Sequence, residues 1–159
     1  MSRDTPRRIL IADPDPQFAG RLSALLSAEG CEVEAVEGVT DAAARLRDVD
    51  FHCVVVDEDL PEMKGHDAVP VLRTISPDVP IIMTAGRNSL EIERCVRRRD
   101  VFFYHVKSFD LRELLTAVRN ALGRAEKEDA PRGGKRRRQG HSDLRQPRTG
   151  ARMRKKPLR

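Results

Sequence analysis

The segment Phe51-His52-Cys53-Val54-Val55-Val56-Asp57-Glu58-Asp59-Leu60-Pro61-Glu62-Met63-Lys64-Gly65 decides how this chain is read. Its first six residues have the β-branched, largely apolar make-up of a strand buried on both faces. The strand runs straight into an acid, Asp57, and residues 58–65 are then rich in turn formers. Three other segments have the same form. Ile9-Leu10-Ile11-Ala12 ends at Asp13, Ile81-Ile82-Met83 ends at Thr84, and Val101 to Val106 ends at Lys107. Each reads as a doubly buried strand closed by one polar residue.

Helical spacing fills the intervals. Asp15 is placed to cap a helix with Pro16 in its first position, Phe18, Leu22, Leu25 and Leu26 on its apolar stripe, and Gly30 as its stop. Cys31 to Ala35 alternates apolar with acidic residues, as a strand exposed on one face does. Thr40 is the expected cap of a short helix through Arg47. Val69, Leu72 and Ile75 mark a third helix, and Asn88 or Ser89 caps a fourth holding Leu90, Ile92, Cys95 and Val96. For the fifth, Asp110 is the expected N-cap with Glu113 three residues on, and Phe109 and Leu114 are spaced as a hydrophobic staple. Leu111, Leu114, Leu115, Val118 and Leu122 form its apolar face. A β-α unit repeated five times over about 117 residues predicts a parallel sheet with helices on both faces.

Charge divides the 159 residues unevenly. The net charge is +5, from 30 Lys and Arg against 25 Asp and Glu. Residues 124–159 hold 14 of the former and 4 of the latter, a net +10, which leaves 16 against 21 and a net of −5 for the rest. The expected organisation is an N-terminal tail over 1–6, a domain over 7–122, and a basic tail over 123–159 too poor in apolar residues to form a core. That tail either binds nucleic acid or another polyanion weakly, through charge alone, or is a bare extension. No apolar run approaches the roughly 20 residues of a membrane span, and the start lacks the apolar stretch of a signal peptide, so a cytoplasmic protein is expected. Cys31, Cys53 and Cys95 are widely spaced among apolar neighbours and read as reduced thiols. His52, His66, His105 and His141 have no metal-ligand spacing.

Ligands of an open parallel sheet bind beyond the carboxyl ends of its strands. Asp13, Asp15, Asp57, Thr84 and Lys107 would all meet there. Clustered carboxylates suit a hard cation such as Mg²⁺, an ammonium and a hydroxyl suit phosphoryl oxygens, and a carboxylate can act as nucleophile. Over residues 7–122 the motifs ILIADPDPQF, VVVDEDLPEMKG, PIIMTA and YHVKSFDLRELL resemble the receiver domain of two-component response regulators. The resemblance implies an α/β, flavodoxin-like, doubly wound five-stranded parallel sheet of order 2-1-3-4-5 with five helices. It also implies a signalling module rather than an enzyme. Asp57 would accept a phosphoryl group from a histidine kinase or phosphotransfer protein. Asp13, Asp57 and the backbone carbonyl of Asp59 would hold Mg²⁺, Thr84 and Lys107 would contact the phosphoryl group, and Tyr104 matches an aromatic switch position that burial as ordinary core would also explain.

Two residues depart from the family pattern. Pro14 stands where a second acidic metal ligand is usual, and Asp15, one residue on, either compensates or only caps its helix. Ser108 stands where a cis proline usually follows the lysine, so a trans Lys107–Ser108 bond is expected. The residues after Leu122 are too few for a folded DNA-binding module, which favours a stand-alone receiver that signals to a downstream protein. The expected output surface carries Arg94, Arg97, Arg112 and Arg119. A phosphorylation-independent adaptor is the alternative. A dehalogenase-type phosphatase with Asp13 as nucleophile would leave the motif around Asp57 unexplained.

Overall fold

A computed structural model describes residues 5–98 and 101–129, with side chains as far as Arg124. Five strands alternate with five helices: β1 (Arg8–Ala12), α1 (Pro16–Ala28), β2 (Glu32–Val36), α2 (Val39–Asp48), β3 (Cys53–Asp57), α3 (Gly65–Ile75), β4 (Ile81–Ala85), α4 (Leu90–Arg98), β5 (Phe103–Val106) and α5 (Arg112–Asp129). All pairings are parallel, and the order is β2-β1-β3-β4-β5. This is the flavodoxin-like, doubly wound sheet that the motifs imply. Helix α5 continues seven residues beyond Leu122. Residues 130–159, most of the expected basic tail, lie outside the described residues, as do His141 and the first four residues of the chain.

The pleat divides the core in two. Along β1, β3 and β4, Leu10, Ala12, Val54, Val56, Ile81 and Met83 enter one layer with residues of α2, α3 and α4. Their neighbours Ile9, Ile11, Cys53, Val55 and Ile82 enter the other with residues of α1 and α5. This alternation follows from the two-residue period of a strand. It also explains why the central strands show no polar face: both sides are covered.

Local signals fixed several helix ends. Asp15 Oδ1 accepts from Gln17 N at 3.0 Å and Phe18 N at 3.4 Å, and Pro16 opens α1. Gly30, at φ 91°, closes that helix in the left-handed region, where a side chain would be strained. Ser89 Oγ accepts from Ile92 N and so caps α4.

Three expectations need correction. Thr40 does not cap α2: the N-cap is Gly38, and Thr40 lies inside the first turn. The staple of α5 does not form, because Phe109 is 89% exposed and lies beneath the Arg21 guanidinium while Leu114 is fully buried. Asp110 does accept from Arg112 N at 3.0 Å, the first residue of the helix. Finally, β5 is not doubly buried. It is the sheet edge, and only His105 along it is buried.

His105 points to the α1–α5 layer, and its Nε2 is buried without a hydrogen-bond partner. Burial pushes its pKa below the usual histidine value, against a smaller opposing pull from the Glu113 carboxylate. Below about pH 6.5 the unfolded chain therefore takes up a proton that the native state refuses. Stability should fall with decreasing pH across that window, by at most about 1.4 kcal/mol per pH unit for this residue. Urea unfolding between pH 7 and pH 5 checks this, and His105→Leu should remove that part of the slope.

Candidate functional site

The two-residue period that sorts the core also assembles the site. Asp13 continues the parity of Ile9 and Ile11, Asp57 that of Cys53 and Val55, Thr84 that of Ile82, and Lys107 that of Phe103 and His105. In register, Ala12 lies beside Val56 and Asp57 beside Thr84. Four polar side chains from four strands thus emerge together at the carboxyl edge, on the α1 side.

Asp13 and Asp57 are almost fully buried, and Thr84 completely so. Lys107 Nζ lies 2.8 Å from Asp13 Oδ2 and 3.1 Å from Asp57 Oδ1. Thr84 Oγ1 donates to the same Asp57 Oδ1 at 3.0 Å, while Asp57 Oδ2 accepts from Asp59 N at 3.0 Å. Asp13 Oδ1 accepts from Asp15 N at 2.8 Å. The Lys107 ammonium rests 4.4 Å above the Phe18 ring, so α1 supports the lysine from below.

One ammonium faces two carboxylates. Burial raises the Asp13 pKa, and proximity to Asp57 adds to it, against the hydrogen bonds from Lys107 and from Asp15 N that hold it down. Desolvation is also the largest influence on Lys107, but its contacts with Asp13 and Asp57 outweigh that and raise its pKa, so it stays charged. A buried cluster of carboxylate oxygens with a net negative charge fits a hard divalent cation. Among the described residues no three His, Cys, Asp or Glu side chains converge on one point. A cation here would take the two carboxylates and complete its shell with backbone oxygen and water, as Mg²⁺ commonly does.

The remaining predicted residues fall as follows. Asp15 is exposed, its Oδ1 engaged in the α1 cap. Tyr104 has the opposite parity, packs against the α2–α4 layer, and buries a hydroxyl without a partner. The Lys107–Ser108 bond is trans, and Ser108 Oγ donates to the Asp110 carbonyl. Arg94 and Arg97 lie on α4, whereas Arg112 and Arg119 pair with Asp110 and Glu29. Phe102 and Phe103 pack on the α1–α5 layer.

Residues 9–119 match the response regulator receiver domain family. The chain belongs to that family. A transcriptional regulator NtrC of Azospirillum brasilense is 31% identical over 72% of this chain and 24% of its own length. The DNA-binding response regulator MtrA of Mycolicibacterium smegmatis is 35% identical over 80% of this chain and 56% of its own. The chain thus spans only a quarter to just over half of these regulators. Among solved structures, a CheY-like receiver domain from Methanospirillum hungatei superposes with a TM-score of 0.73 at 28% identity, covering 78% of this chain and 99% of its own. The response regulator TrrA of Thermotoga maritima, in complex with Mg(2+)-BeF, gives 0.66 at 25% identity, covering 73% and 99%.

Two residues of this receiver escaped the sequence. Glu58 is buried on the face opposite Asp57, where its carboxylate accepts from His66 N at 3.0 Å and meets His66 Nδ1 at 2.5 Å. Glu62 reaches α2, 22 residues away along the chain. Gly65 holds the same loop closed: its N donates to the Glu58 carbonyl at 2.8 Å, and a Cβ there would overlap the Asp57 carbonyl and lie 2.8 Å from Glu58 Cα. Both obstacles are backbone, so Gly65→Ala should displace the strand that carries Asp57 and cost about 1–3 kcal/mol in urea unfolding. Unchanged stability would mean that the loop yields freely.

Proposed function

We propose that this receiver accepts a phosphoryl group on Asp57 from a phosphohistidine of a histidine kinase or phosphotransfer protein, and signals through contacts with a downstream protein. The observation that carries the reading is the convergence of Thr84 and Lys107 on one buried carboxylate, Asp57, with Asp13 bound to the same Lys107 ammonium. An Asp57 carboxylate oxygen attacks phosphorus, the phosphorus–nitrogen bond breaks, and the departing imidazole nitrogen takes up a proton. Lys107 and Thr84 donate to Asp57 Oδ1 and stand ready to follow charge onto the phosphoryl oxygens. Asp59 N holds Oδ2 and fixes the carboxylate plane. Mg²⁺, held by Asp13, Asp57 and the Asp59 carbonyl, would neutralise phosphoryl charge during transfer.

A phosphorylation-independent adaptor is the second reading, favoured by Pro14 and by the engagement of Asp15 as a helix cap. Its basic tail would supply polyanion binding. Intact-mass spectrometry after incubation with acetyl phosphate and Mg²⁺ separates the two. The receiver reading predicts one added phosphoryl group, absent without Mg²⁺ and absent in Asp57→Asn. An unmodified wild-type chain under these conditions would favour the adaptor.

A further inference from the structure

The loop that follows Asp57 performs a second task, visible only in the folded chain. Neither α2 nor α3 is capped by its own N-cap residue: Gly38 has no side chain to offer, and Lys64 makes no capping bond. The first backbone N–H groups of a helix lack partners within it. Here glutamates of one loop serve both helices. Glu58 accepts from His66 N of α3, and Glu62 accepts from Val39 N at 2.8 Å and Thr40 N at 3.0 Å of α2, with the Thr40 hydroxyl donating to it as well. Asp59 sits between these anchors, and its N–H bonds Asp57.

We propose that Glu62 is a positioning residue for the acceptor site: by capping α2 it clamps loop 58–64 and sets the Asp59 carbonyl where a cation bound by Asp13 and Asp57 needs it. The proposal rests on the receiver reading above. Two features of the chain support it. The Thr40 hydroxyl and the two α2 amides hold the Glu62 carboxyl below the usual glutamate pKa, so it is charged and complements the positive end of the helix. A Cβ on Gly38 would overlap the Glu62 carboxylate, so glycine at that position leaves the room in which the contact forms. The backbone of Gly38 is extended (φ −148°), which any residue adopts. Gly38→Ala should therefore evict Glu62 without straining the main chain.

Glu62→Gln removes the charge and one of the two acceptor oxygens of this contact, and Gly38→Ala evicts the side chain from the opposite side. In the full chain, both should speed amide exchange at residues 58–64 and in the first turn of α2. Both should also raise the Mg²⁺ concentration for half-maximal labelling by acetyl phosphate about tenfold, the low end of what loss of groups behind metal ligands costs. The labelling rate at saturating Mg²⁺ should stay close to wild type. Faster exchange with an unchanged Mg²⁺ midpoint would reduce Glu62 to a helix cap and overturn the proposal. Should the wild type take no phosphoryl group, the receiver reading fails, and calorimetric Mg²⁺ titration decides the positioning claim. Weaker binding by Glu62→Gln than by wild type sustains it; equal binding, or none by either, ends it.

Discussion

The Lys107 ammonium stands between two buried carboxylates, 2.8 Å from one and 3.1 Å from the other, and the arrangement of this domain's carboxyl edge follows from it. Removing two carboxylates from water is unfavourable, and a single ammonium can offset only part of that cost. At Asp13 the cost shows directly, since burial raises its pKa. A stable core has no use for a half-neutralised carboxylate pair, whereas a cation and a phosphoryl group would complete it. On the proposed function, stability is set aside at this edge for the binding of those groups.

The constraint that brings these groups together is strand parity. Parallel strands in register direct every second residue to one face, so Asp13, Asp57, Thr84 and Lys107 emerge together on the side of α1, where Phe18 supports the lysine. Glu58 and Tyr104, one residue out of phase, face the opposite helices. A one-residue slip in any of these strands would exchange the two sets. The Val54–Val56 core that fixes the register of β3 is thus also what aims Asp57.

How much of this could be read from the sequence depends on how far each signal acts along the chain. Asp15 and Ser89 cap helices two to three residues away, and Asp13, Asp57, Thr84 and Lys107 each end a run of apolar residues, so local pattern located all of them. The α2 cap could not be read because its carboxylate arrives from Glu62, 22 residues downstream, leaving Thr40 as the plausible but mistaken local choice. Phe109 has staple spacing, yet Arg21, 88 residues away in sequence, bonds its carbonyl and stacks on its ring in solvent. The apolar run of Val101 to Val106 resembles a central strand, but strand order puts it at the edge, where the two-sided cover is incomplete.

The most direct measurement is urea unfolding of the wild type and Asp13→Asn, each with and without about 10 mM Mg²⁺, since a ligand that binds only the folded state stabilises it in proportion to the logarithm of its concentration over Kd. If the buried carboxylate pair is a cation site held at the expense of stability, the wild-type midpoint rises with Mg²⁺. Asp13→Asn should then be more stable than wild type without the ion, by about 1 kcal/mol, and indifferent to it. A wild type that Mg²⁺ leaves unmoved, or an Asn variant less stable than its parent, would contradict the account.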